Sequence, residues 1–225
     1  LSGDPNAPTG SGTVFFTGCA LGCCYCQNYA ISQQGLGKDI DENRLCEIFL
    51  ELQEKGAQNI NLVTATQWLP WVTAALEKAR RRGLHLPVVY NTGGYETIET
   101  VQALKSYVDI WLTDYKYASP ALAAELSRAA DYPAAADAAM CEMLRQTGAP
   151  VFGEDGYLRR GVIVRHLALP GHVEDSLAVL RRLAEIRQEV GVPFLTSLMS
   201  QFTPFYHADE HKLGRRITPY EYRKE

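Results

Sequence analysis

The stretch Thr13-Val14-Phe15-Phe16-Thr17-Gly18-Cys19-Ala20-Leu21-Gly22-Cys23-Cys24-Tyr25-Cys26-Gln27-Asn28 decides how the chain is read. Its opening residues are β-branched or aromatic and read as a strand. Three cysteines follow at once in a CxxxCxxC spacing, with a tyrosine just before the last. Cys19, Cys23 and Cys26 lie within eight residues, where disulfides would close strained small loops but thiolates can converge on one metal centre. A closed structural site ordinarily takes four protein ligands, so three leave a position for an exogenous one. That arrangement suits a 4Fe-4S cluster with one open iron. The competing arrangement is a zinc site completed by Cys24, Cys46 or a histidine. Cys24, flanked by Cys23 and Tyr25, is expected to point away from the cradle. Cys46 and Cys141 fall in helical patterns and read as small buried residues.

Outward from this motif, short β-rich runs alternate with longer amphipathic ones, the pattern of repeated βα units with parallel strands. Strands are expected at 13–17, 59–64, 87–91, 108–113, 161–166 and 193–200, and helices at 42–55, 69–82, 97–106, 120–147 with a break near Tyr132-Pro133, and 174–190. Gly56, Gly83, Gly148 and Gly191 sit where helix C-caps belong. The fold class is α/β, a partial (β/α)6 barrel with parallel strands, in which ligands bind at the carboxyl ends of the strands. Those ends are polar: the cysteines, then Thr64-Ala65-Thr66-Gln67, Asn91-Thr92-Gly93-Gly94, Asp114-Tyr115-Lys116, Arg165-His166 and Ser200-Gln201. One domain over 1–225 is expected, with the barrel at about 12–200 and a polar C-terminal segment at 201–225. The chain opens at Leu1 and stops inside a polar helical pattern, so residues are expected to be missing at both ends.

Composition narrows the partners. With 22 Lys and Arg against 26 Asp and Glu, the net charge of -4 gives no electrostatic attraction for nucleic acid. No apolar run approaches the roughly 20 residues of a membrane span, and the N-terminus lacks a secretory signal pattern. Six unevenly spaced cysteines argue for a reducing compartment, and a cytoplasmic location is the expectation.

CxxxCxxC with an aromatic residue before the last cysteine resembles the signature of the radical S-adenosylmethionine (SAM) superfamily. Within it, Cys26-Gln27-Asn28, Asp114-Tyr115-Lys116 and Arg165-His166-Leu167-Ala168-Leu169-Pro170-Gly171 look like the pyruvate formate-lyase activating enzyme group. Residues 12–32, 87–95 and 161–175 resemble an activating-enzyme-like subgroup of unassigned substrate. The resemblance implies that Cys19, Cys23 and Cys26 hold the cluster, that SAM chelates the open iron, and that its reductive cleavage gives a 5'-deoxyadenosyl radical for hydrogen abstraction. It implies a reductant such as a flavodoxin or ferredoxin, and a glycyl radical enzyme or other protein as the acceptor.

By the same resemblance, Asp114 and Lys116, which share a strand face, help to hold SAM, and Tyr25 and Asn28 support its adenine and ribose. Thr64, Asn91, Thr92 and Gln201 end strands at the mouth and complete the candidate cofactor contacts. Arg165 and His166 alternate in direction, so Arg165 is taken as a carboxylate partner and His166 as a packing residue. The group commonly carries a Gly-Gly-Glu run after strand two; Thr64-Ala65-Thr66-Gln67 stands there instead. Trp68 and Trp71 read either as a wall of the substrate pocket or as helix-start packing. Two other functions stay open at this point: a radical SAM enzyme acting on a peptide or small molecule, and a non-catalytic iron-sulfur or zinc module.

Overall fold

The computed structural model describes residues 10–224. In chain order its strands are β1 (Gly12–Phe15), β2 (Ile60–Val63), β3 (Val88–Thr92), β4 (Ile110–Asp114), β5 (Val151–Phe152), β6 (Leu158–Leu167) and β7 (Leu195–Met199). Its helices are α1 (Tyr29–Ser32), α2 (Glu42–Glu54), α3 (Leu69–Arg81), α4 (Ile98–Ala103), α5 (Pro120–Ser127), α6 (Tyr132–Thr147), α7 (Val173–Val190) and α8 (Pro219–Tyr222). The six expected strands are all present and pair in parallel in the order β1-β2-β3-β4-β6-β7. Among the described residues β1 and β7 do not pair with each other, which makes the sheet a barrel left open on one side.

Local chemistry explains the boundaries. Asp41, Thr97 and Ser119 cap α2, α4 and α5 by accepting from the backbone N–H three residues on. The expected break in 120–147 falls at Arg128, which ends α5 in a left-handed conformation, and α6 restarts with Pro133 in its first turn. The four expected cap glycines all have positive φ. Sequence periodicity misses β5, a two-residue strand held antiparallel on the first residues of β6, because so short a run carries no period.

Strand register sorts the side chains onto two faces. One row of paired positions, Leu62, Tyr90, Trp111 and Val162, packs into the main core with the helices. The alternate face carries a second, smaller core of Val89, Ile110 and Leu112 with Leu158 and Ile163, which fills the barrel interior. Above that plug, at the carboxyl ends of the strands, the same face presents Asn91, Asp114 and Arg165 in place of aliphatic groups. No described helix is long and apolar enough to cross a membrane.

The turn after β3 is held at one position by geometry alone. Gly94 has φ +83, and a Cβ there would lie 2.1 Å from the Asp114 carbonyl oxygen and 2.9 Å from the Tyr132 hydroxyl. Gly94→Ala is therefore expected to destabilise the chain by about 2 kcal/mol or more, since it combines left-handed strain with a clash against backbone. Urea unfolding at neutral pH measures the difference.

Candidate active site

The cysteine loop leaves β1 and is pinned from two sides. On one side its Gly22 and Cys24 N–H groups donate to the Ser127 and Leu126 carbonyls at the end of α5 (3.1 and 2.8 Å). On the other, the Cys24 carbonyl accepts from the His207 N–H at 2.8 Å. Within this frame the Cys23 thiol feels the charges of Cys19 and Cys26, and the Cys19 thiol that of Cys26. Cys24 couples to Cys23 but also to Glu125 and Glu210, and it lines a separate pocket with His207 and His211. It thus turns away from the cradle, as its position in the motif predicts. Cys46 is fully buried in α2 and accepts from Arg82, just past the end of α3.

Each of the three sulfurs has a donor beside it. The Leu21 N–H faces Cys19, the Ser127 hydroxyl donates to Cys23 Sγ at 2.9 Å, and the Ser32 hydroxyl lies 3.3 Å from Cys26 Sγ. Burial pushes the Cys19 and Cys23 thiols up and the Cys24 thiol to about 11, so Cys19 and Cys23 hold their protons against all but a displacing metal. Three convergent cysteines with a donor apiece, and a fourth turned away, fit a three-thiolate cluster.

Beside the cysteines opens a cleft of about 280 Å³ lined by Cys23, Tyr25, Cys26, Gln27, Asn28, Asp114, Lys116, Arg165, Gln201 and Phe202, among others. Its electrostatic centre is Asp114, which accepts from Lys116 Nζ at 2.6 Å and from Arg165 Nε at 2.8 Å. The Asp114 and Lys116 side chains are only 16% and 19% exposed, so this is no solvated surface pair. Burial opposes ionisation of Asp114, but the two cations overcome it and hold its carboxyl below the usual range. Lys116 is likewise disfavoured by burial, and Asp114 holds it above its ordinary value. Arg165 reaches on to Asn91 Oδ1 at 2.8 Å, which ties three strand ends together.

The remaining sequence candidates divide cleanly. Asn28 lines the cleft and makes no side-chain cap bond to α1, and Gln201 lines the opposite rim. Thr92 lies on the opposite strand face from Asn91, is buried, and donates to the buried Glu96 carboxylate at 2.5 Å. Thr64 closes β2 with φ +56, outside the lining residues of the cleft. His166 packs as expected: its Nδ1–H donates to the Tyr115 carbonyl at 2.7 Å, its Nε2 accepts from Ser176 at 2.8 Å, and burial keeps it neutral by lowering its pKa. Trp68 and Trp71 meet edge to face at 5.8 Å on a different groove, with Phe15 and Ile40, away from the cleft.

Sequence reading missed Tyr132. Its hydroxyl is shared between the Gly93 and Asp114 carbonyls (2.8 and 3.1 Å) and accepts from the Lys116 N–H at 2.9 Å, so it fixes the loop that carries the lysine. It also missed Glu96, Tyr117 and Ser127, and Phe202 and Phe205, which place the C-terminal segment on the cleft rim. Burial pushes Tyr25, Tyr117 and Tyr132 well above the usual tyrosine range, so all three stay protonated.

A parallel, open barrel with a three-cysteine loop at its mouth defines an iron-sulfur protein that binds a ligand across the strand ends. Residues 13–184 match the radical SAM superfamily, and the chain belongs to that family. Its cofactors are accordingly a 4Fe-4S cluster and SAM. An uncharacterized protein of Methanocaldococcus jannaschii is 27% identical over 222 residues, which cover 95% of this chain and 60% of that protein. Among solved structures the chain is similar to HydG, a maturase of the [FeFe]-hydrogenase, with TM-score 0.66 and 14% identity over 96% of this chain and 48% of that one. Methylornithine synthase (PylB) gives TM-score 0.60 and 13% identity over 92% and 57%. Streptococcus suis SuiB bound to its precursor peptide SuiA gives 0.58 and 13% over 92% and 44%. The chain thus spans 60% of the curated relative and about half of each similar structure.

Two outcomes follow from the geometry. Replacing Cys19, Cys23 or Cys26 by Ala is expected to abolish cluster assembly while Cys24→Ala retains it, as read by iron, sulfide and visible absorbance after anaerobic reconstitution. Asp114→Asn leaves two largely buried cations without a counter-charge and is expected to lower stability by about 3 kcal/mol at neutral pH. Because the folded carboxyl titrates below its unfolded value, its contribution is complete above the ordinary carboxylate range and vanishes as pH falls through the folded value. The gap between the Asn variant and the parent therefore closes in acid, measurable by urea titrations across pH.

Proposed function

We propose that this chain is the catalytic core of a radical SAM enzyme that abstracts hydrogen from its substrate, using the cleft at the barrel mouth to hold SAM. The observation that carries the reading is the opening of the three-cysteine loop directly onto a cleft with two fixed cations and one carboxylate. When bound, the cluster supplies the electron that cleaves SAM to methionine and a 5'-deoxyadenosyl radical. The protein's own part is binding and orientation. Lys116 and Arg165, preorganised by Asp114 and by Asn91, offer donors for the carboxylate of the methionine moiety. Tyr25 and Phe202, which meet edge to face at 5.9 Å, wall the cleft with apolar surface suited to the adenine. Asn28 and Gln201 supply polar contacts from opposite rims.

Within this function we assign the chain to the activating-enzyme-like group, with the radical delivered to a glycine of a partner polypeptide. Support comes from the runs at residues 26–28, 114–116 and 165–171, whose first members all line the cleft. A low-potential one-electron donor of the flavodoxin or ferredoxin class is the proposed reductant, and the cytoplasm the proposed compartment.

Reconstituted protein with reductant and SAM is expected to form 5'-deoxyadenosine and methionine in equal amounts; an intact cluster that yields neither would sink the reading. Compared at equal iron and sulfide content, Lys116→Met and Arg165→Met are expected to weaken SAM binding at least about tenfold, in line with the loss of a charge-assisted hydrogen bond.

A further inference from the structure

Cys23 is the most deeply enclosed of the three motif cysteines, at 8% exposure, and its sulfur is served by a chain of hydroxyls that the radical chemistry does not itself use. Ser127 Oγ donates to Cys23 Sγ at 2.9 Å. Tyr117 OH lies 2.6 Å from Ser127 Oγ, and Tyr25 OH lies 2.6 Å from Tyr117 OH. Ser127 is 1% exposed and Tyr117 fully buried, so water does not compete for either.

Proton counting gives the chain a direction. Each hydroxyl has one hydrogen. Ser127 spends its own on the sulfur, so it accepts from Tyr117; Tyr117 has then used its hydrogen and accepts from Tyr25. Every O–H dipole in the series points toward Cys23. Aligned hydrogen bonds in a low-dielectric interior polarise one another, so the tyrosines strengthen the bond that Ser127 makes. The direction is imposed once the sulfur is a metal-bound thiolate, because it can then only accept.

A hydrogen bond to a ligating sulfur favours the more negative state of the centre it serves. Reduction here adds one electron from the low-potential donor with no proton taken up at the thiolate, and the added negative charge is what the aligned dipoles meet. We propose that Ser127 is a positioning residue that raises the reduction potential of the cluster through Cys23, and that Tyr117 and Tyr25 act through Ser127 in graded fashion. The inference rests on the cluster assignment above, and goes beyond it in naming the residues that set how readily the centre accepts its electron.

The test is an EPR-monitored redox titration of the reconstituted chain, without SAM so that Tyr25's place on the cleft does not enter. Ser127→Ala is expected to shift the midpoint potential to more negative values, Tyr117→Phe to shift it less in the same direction, and Tyr25→Phe least. If Ser127→Ala fails to hold its cluster, Tyr117→Phe carries the test, since it leaves Ser127 on the sulfur and removes only the group behind it. Potentials that match the parent, in variants with full iron and sulfide content, overturn the proposal. A parent chain that takes up no cluster would overturn the cofactor reading instead, and this proposal with it.

Discussion

The Asp114 carboxylate, gripped by Lys116 just past the end of its own strand and by Arg165 from the neighbouring one, is the interaction on which the mouth of the barrel depends. It is possible because β4 and β6 pair in a register that sets positions 114 and 165 side by side. A one-residue slip of either strand would turn its own side chain toward the helices, and leave Thr113 or Tyr115 in place of Asp114, or Val164 or His166 in place of Arg165, facing the cleft. The aliphatic plug below, Val89, Ile110, Leu112 and Ile163, lies on the same strand face, and a two-residue slip that drew Asp114 or Arg165 down into it would bury a charge among apolar side chains. Apolar packing inside the barrel thus determines where the charges stand at its rim.

The cysteine loop obeys a different constraint. It has no regular secondary structure of its own between β1 and α1, so its shape comes from partners distant in sequence. The last carbonyls of α5, which have no intrahelical acceptors' role left to fill, take the Gly22 and Cys24 N–H groups. One short helix therefore ends its own hydrogen bonding on the metal loop and also supplies Ser127 to the Cys23 sulfur. Tyr132, at the start of the next helix, does the equivalent for the loops after β3 and β4. The irregular segment between these two helices sits where both the cluster cradle and the cation pair are braced.

Much of this was legible in the residue order, for reasons that differ from part to part. The strands declare themselves by β-branched runs, and the cysteines by spacing, since local proximity alone brings their sulfurs together. Asp114 and Lys116 follow from the two-residue repeat of a strand, and Arg165 over His166 from the same alternation. That rule also separates Asn91, on the inner face, from Thr92, whose hydroxyl goes to Glu96. What residue order does not reveal is any partner that depends on helix placement. Nothing around Ser127 or Tyr132 marks them as more than a helix end and a helix start, and their roles appear only when α5 and α6 are packed against the strand ends. The same holds for Phe202 and Phe205, which lie in a stretch that reads as polar overall but returns to form a rim of the cleft.

Charge accounting links the two halves of the site. Asp114 offsets only one of the two cations that hold it, so the group carries one net positive charge at the floor of the cleft. Lys116 is the member that acts on the thiols, for its charge lowers the pKa of both Cys19 and Cys23 against the effect of burial. Burial opposes deprotonation of Cys19 and Cys23, and the lysine charge offsets part of that cost. A single lysine therefore serves in two settings: it eases the loss of thiol protons as metal enters, and afterwards it faces the cleft where an anionic group of the ligand can meet it. Asp114 prevents that charge from being lost to desolvation, so the buried lysine stays a cation beside the cleft.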